Sequence, residues 1–152
     1  MDNKQIIYEI LSDLKGRIQE NMKRADAIAT KKTYNSLEII TDENSGQLLA
    51  ASHIDELETG HPPVKDGGKR LSFKTDFQSI KDWMDARGVK MNISTLISRL
   101  NANGSHLYQV KGFRNIYSND INDPSFIEKV QNELSNNFLV RVNKDIEIFI
   151  KP

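Results

Sequence analysis

Leu57-Glu58-Thr59-Gly60-His61-Pro62-Pro63, and after it Phe77-Gln78-Ser79-Ile80-Lys81-Asp82-Trp83-Met84-Asp85-Ala86-Arg87-Gly88-Val89, are the stretches whose reading decides the fold of this chain. The first reads as the end of a strand running into a Pro-rich loop. The second reads as a helix with Phe77, Ile80, Trp83 and Met84 on one side. Thr75-Asp76-Phe77-Gln78 has the form of a capping box, with Thr75 as N-cap and Gln78 at the third helical position. Gly88 suits the left-handed residue that closes a helix. Asn92 predicts the cap of a second helix, whose Ile93, Leu96, Ile97 and Leu100 recur at helical spacing and which Gly104 ends. The expectation is a short helix pair near residues 75–103. The core is expected to centre on Ile80, Trp83, Met84, Ile93, Leu96 and Ile97, joined by Leu11 and Leu14 from an N-terminal helix.

That helix is predicted over about residues 3–31, because Ile7, Leu11, Leu14, Ile18, Met22, Ala25 and Ala29 step by three or four. Gly16 inside it costs about 1 kcal/mol against Ala, which the length tolerates. Leu37-Glu38-Ile39-Ile40-Thr41 and Gln47-Leu48-Leu49-Ala50-Ala51, separated by Asp42-Glu43-Asn44-Ser45-Gly46, read as a hairpin. Its second strand is expected to continue to Leu57, giving a hairpin near residues 36–58 that ends at Thr59-Gly60. Pro62, Pro63, Gly67 and Gly68 predict an exposed loop over about residues 61–72. Residues 105–122 are apolar without periodicity and read as loop with one short strand. Asp123-Pro124 starts a further helix carrying Ile127, Val130 and Leu134. The alternation of Phe138, Val140, Val142, Ile146, Ile148 and Ile150 predicts a second hairpin near residues 138–150. The fold class is thus α+β, one domain over residues 1–152, with a long N-terminal helix, a small antiparallel sheet and the helix pair.

Composition narrows the function. The 152 residues carry 21 basic and 21 acidic side chains, whereas dedicated nucleic-acid binders usually show a basic excess. Cysteine is absent, so there is no disulfide framework, thiolate metal site or Cys nucleophile. No basic n-region precedes an apolar core, and no apolar run is long enough to span a bilayer, which predicts a chain kept in a cytoplasm or packed into a particle assembled there.

No chemical motif stands out. His53, His61 and His106 lie far apart and outside ligand spacing. Glu56, Glu58 and His61 could be drawn as an acid–base cluster, but as strand residues Glu56 and Glu58 are simply same-face, solvated charges. Gly67-Gly68-Lys69-Arg70 lacks the spacing of a phosphate-binding loop. The reading is therefore no enzyme, no metal and no cofactor. An alternative is a helix-turn-helix DNA-binding regulator built on residues 75–103, with Asn92, Ser94, Thr95, Ser98, Arg99 and Asn101 towards the bases. Five cations against three anions over residues 74–105 are few for phosphate contacts.

Taken in order, the Glu58-Thr59-Gly60-His61-Pro62 turn, the Ile80-x-x-Trp83-Met84 helix with its Arg87-Gly88-Val89 stop, and a following helix ending in Gly104-Ser105 resemble the tail-completion, or head–tail joining, proteins of tailed bacteriophages. The order of elements matches over most of the chain. It departs where Ser94, Thr95 and Ser98 replace a small Ala-rich face, where the segment after that helix lacks a clear Arg-Pro-Phe-like run, and in its longer C-terminal strands. The resemblance implies a virion structural protein of the neck or upper tail, assembled in the host cytoplasm. Such a protein forms a homo-oligomeric ring, of about six or twelve copies, between portal, adaptor and tail proteins. Genomic DNA would pass through the lumen without sequence readout, and no membrane or cofactor is involved. Docking would fall on Glu58, Thr59, Gly60, His61 and Pro62 together with the loop cations Lys65, Lys69 and Arg70.

Overall fold

The computed structural model describes residues 2–137. Helix α1, Asn3–Arg24, is the element on which the others pack. Asp2 caps it by accepting the Gln5 N–H at 2.7 Å. Its buried stripe, Ile6, Ile7, Ile10, Leu11, Leu14, Ile18 and Met22, meets Leu37, Leu48, Ala50, Ile54, Ile116 and Phe126 in one apolar cluster.

The helix stops at Arg24, seven residues short of the expected end, because the chain closes on itself there. Asp26 takes a left-handed conformation, its N–H donates to Lys23 O, and the Ala27 N–H reaches back to Met22 O at 2.9 Å. This is a Schellman closure, with Ala27 and Met22 both buried beneath it. The run of helix-forming alanines did not decide the matter, since burying Ala27 required the turn.

A short helix, α2 (Lys32–Ser36), leads into the antiparallel pair β1 (Glu38–Thr41) and β2 (Gly46–Leu49), with Ile39 opposite Leu48 and Thr41 opposite Gly46. Asp42 holds the turn by accepting the Asn44 and Ser45 N–H groups and the Ser45 hydroxyl. The expected hairpin is present, but its second strand ends at Leu49. Residues Ile54–Thr59 form helix α3, so the strand reading of 50–59 is corrected. Helical spacing puts Ile54, Leu57 and Glu58 on one face, which turns inward; strand alternation would have paired Glu56 with Glu58.

Helices α4 (Phe73–Arg87) and α5 (Ile93–Asn103) form the expected pair. The cap of α4 is Ser72, not Thr75: its hydroxyl accepts the Lys74 N–H while Asp76 accepts the Ser72 N–H. Gly88, Asn92 and Gly104 play their expected terminal roles. Met84 and Ile97 are buried between the two helices, with Ile80, Ile93 and Leu96 half-buried. Trp83, expected at the centre of the core, is 42% exposed. The pair meets the α1 region through Arg87 on Asp26 and Lys32 on Asp82, and α1 packs instead against the hairpin and the C-terminal helices. Residues 105–122 contain no strand. They hold helices α6 (His106–Gln109) and α7 (Ser118–Ile121), with Ile116 wholly buried. Helix α8, Pro124–Asn137, starts at the expected Asp-Pro and lies along α1, with Phe126 rather than Ile127 facing in. Arg17 covers the Phe126 ring and Lys129 reaches Asp13. The hairpin expected near 138–150 lies outside the described residues.

Truncation should therefore report on α1 rather than on Trp83. Leu14→Ala should cost about 2–5 kcal/mol, while Trp83→Ala should cost about 1 kcal/mol or less. Urea denaturation midpoints of the two variants check the order.

Candidate functional site

The residues quoted from Glu58 to Pro62 converge with Gly104 and Ser105, more than forty positions away in the chain. Gly60 closes α3 at φ 86°, and a Cβ there would lie 2.5 Å from the Tyr108 nitrogen. Gly104 closes α5 at φ 73°, and a Cβ there would lie 2.7 Å from His61 O. Both positions need glycine for backbone angle and for space. Two hydrogen bonds seal the contact: His61 N–H donates to Ser105 Oγ at 2.9 Å, and Ser105 N–H donates to His61 O at 2.8 Å.

Among the described residues Glu58 is the most buried acidic group, 2% exposed. Its Oε1 accepts the N–H groups of Ile116, Tyr117 and Ser118 at 3.0–3.1 Å, its Oε2 accepts the Ser118 hydroxyl, and its backbone oxygen accepts the Arg114 N–H. The carboxyl group is thus a lock between α3 and the 114–118 segment. Glu56 turns the other way, to His61 Nδ1 at 2.9 Å. His61 is itself buried, and its Nε2 has no hydrogen-bond partner. The Glu56–His61 pair is therefore real in space, but Glu58 is committed elsewhere and no three-membered acid–base cluster forms. Thr59 donates its hydroxyl to Asp55 O within α3. Among the described residues no group of three or more His, Asp or Glu converges to hold a metal ion.

Of the expected docking residues, Glu58 and His61 face inward and Pro62 is half-buried; Lys65, Lys69 and Arg70 are exposed. Their loop is less open than its Pro and Gly content predicted. Pro63 is fully buried, Val64–Asp66 form a 3-10 turn, and the Leu71 backbone is gripped on both sides by the Asn101 amide at 2.8 and 2.9 Å. Tyr108 donates its hydroxyl to Asp66 at 3.0 Å, and Lys69 lies 3.6 Å from Asp76. Sequence reasoning missed Asn101 as a clamp, having placed it towards DNA bases, named Ser105 only as part of the Gly104-Ser105 helix end, and missed Tyr108, which lay in a segment without periodicity. Ser105 as a potential N-cap was the available signal for a helix there, and nothing marked Tyr108.

Two electrostatic shifts mark the α3 neighbourhood. Burial, with a hydrogen bond to Asp55 second, pushes the Tyr117 phenol well above the usual tyrosine range. Burial likewise pushes the His53 imidazole below the usual histidine range, with Lys32 reinforcing and Glu56 opposing. The His53 ring is paired with the Thr33 hydroxyl.

Comparison with known proteins gives no relative: no family model, no curated protein and no solved structure matches the chain. No helix among the described residues is long and apolar enough to cross a membrane.

Replacing Glu58 by Ala should leave three N–H groups without their acceptor and cost about 3 kcal/mol or more; thermal or urea unfolding measures it, and Glu58→Gln should be milder. For His53, the unfolded chain takes up a proton more readily than the folded one, so stability falls as pH drops through the ordinary histidine range. The urea midpoint should decline between about pH 7.5 and about pH 5.5, and His53→Gln should flatten that decline.

Proposed function

We propose that this chain is a bacteriophage virion structural protein of the tail-completion kind, one subunit of a ring joining the head–tail connector to the tail. The single observation that supports the reading is the meeting of the two separated motifs that carry the resemblance. Glu58-Thr59-Gly60-His61-Pro62 and Gly104-Ser105 pack on each other through glycine-only contacts and two reciprocal bonds between His61 and Ser105, one to the Ser105 hydroxyl and one between backbones. In this reading the motif is a brace. It fixes the path of the 61–72 segment and leaves Lys65 and Arg70 outward for neighbouring copies or rings. Among the described residues the sheet has two strands, and sheet edges are a second means by which chains associate. A ring would use such contacts head-to-tail, with portal, adaptor or tail proteins above and below and DNA passing unread through the lumen. No catalysis, cofactor or membrane enters this role.

The helix-turn-helix alternative draws less support from the geometry. Of its base-facing candidates, Asn101 is occupied by Leu71 and Asn92 caps α5, while two of its five cations are paired, Arg87 with Asp26 and Lys81 with Asp85 at 2.6 Å. Ser94, Thr95, Ser98 and Arg99 remain exposed on α5.

Disruption of the gene in a phage that carries it should yield DNA-filled heads without attached tails, restored by the intact chain. Electron microscopy of lysates checks this. Normal particles from the disrupted phage, or nanomolar binding of a defined duplex site with a steep salt dependence, would replace the ring reading with the regulator.

A further inference from the structure

An open cleft of about 590 Å³ lies between the 3-10 turn Val64–Asp66 and helix α6. Lys65 lines one wall, Lys111 and Tyr108 the other, with Asn103 and Pro63 also in its lining. The one carboxylate in the lining, Asp66, already accepts the Tyr108 hydroxyl. Neither lysine forms an ion pair with a described residue. The cleft therefore offers two uncommitted cations.

The wall carrying Lys111 is held in place. Lys111 has a left-handed φ of 50°, and the turn is closed by Lys111 N–H on Tyr108 O and Gly112 N–H on Leu107 O. Just beyond, the Arg114 N–H is bound by Glu58 O. Two apolar side chains bracket Lys111 on this turn without being buried: Val110 is 57% and Phe113 54% exposed. Large apolar groups exposed on a braced backbone suit a protein–protein contact, and the free cations beside them set its charge preference.

We propose that this cleft and the Val110–Arg114 turn form a docking site for an acidic peptide segment of a partner protein. A carboxylate of that segment lies between Lys65 and Lys111, and an adjacent apolar side chain packs on Val110 and Phe113. The argument for an acidic occupant is charge complementarity. A nucleic-acid strand fits less well: its phosphates need a track of cations, its bases need successive aromatic platforms, and Val110 is not one. The inference is independent of the ring reading.

The test uses the full chain, labelled with nitrogen-15, and three probes: a random Glu/Tyr copolymer, poly-glutamate and a single-stranded oligothymidylate. Amide shifts on adding the Glu/Tyr copolymer should cluster at residues 63–66 and 108–114, with poly-glutamate weaker and the oligonucleotide weaker still. The paired change Lys65→Glu with Lys111→Glu should lower affinity by about tenfold or more. Lys111→Gly removes the charge but suits the left-handed backbone, so it should weaken binding without lowering the denaturation midpoint. Shifts centred elsewhere, unchanged affinity in both variants, or tighter binding of the oligonucleotide through the same residues would overturn the proposal.

Discussion

The Glu58 carboxyl group organises the second half of this fold. Three consecutive N–H groups, from Ile116 to Ser118, point at one oxygen, and the Ser118 hydroxyl meets the other. Hydrogen bonds to such a group contribute roughly 1.5–3 kcal/mol each in net terms, against neutral ones of about 1 kcal/mol. The 114–118 segment has no sheet or helix of its own to satisfy those donors, and Glu58 supplies the acceptor. With the segment so held, Ile116 is delivered into the α1 cluster and α7 begins at Ser118.

The same residue couples the two apolar regions of the molecule. On its N-terminal side α3 seats Ile54 against α1; on its C-terminal side Gly60 and His61 bear on Ser105 and α6. The helix pair then hangs from this junction through Asn101 and Leu71 at one end and the Arg87–Asp26 ion pair at the other. An arrangement fixed by hydrogen bonds, one ion pair and glycine contacts leaves α4 partly uncovered. That is why Phe73 and Trp83 keep large exposed surfaces even though they sit on an amphipathic helix.

The proposed function rests on what this brace leaves outside. Glu58, Gly60, His61 and Gly104, which carry much of the resemblance, are turned inward, so in the proposed ring reading their part is to shape the surface. The outward groups are cations on the 61–72 segment and the mixed apolar and basic turn after α6. In the proposed reading such a surface suits association with acidic protein partners better than readout of a duplex, in keeping with equal numbers of acidic and basic residues overall.

Local physics was legible in the sequence. The stripe of α1, the β1–β2 turn, the Gly88 and Gly104 stops, the Asn92 cap and the Asp123-Pro124 start depend on neighbours a few positions away, and each is where the residues place it. Three decisions depended on distant partners and could not be read there. Residues 54–59 are helical because Glu58 must meet donors some sixty positions downstream. Helix α1 stops at Arg24 because Ala27 is buried by turning back. Trp83 is exposed because α1 spends its apolar face on the hairpin, α3 and α8, leaving no second wall for it. Periodicity tells which side of a helix is apolar; only the tertiary structure decides what, if anything, covers it.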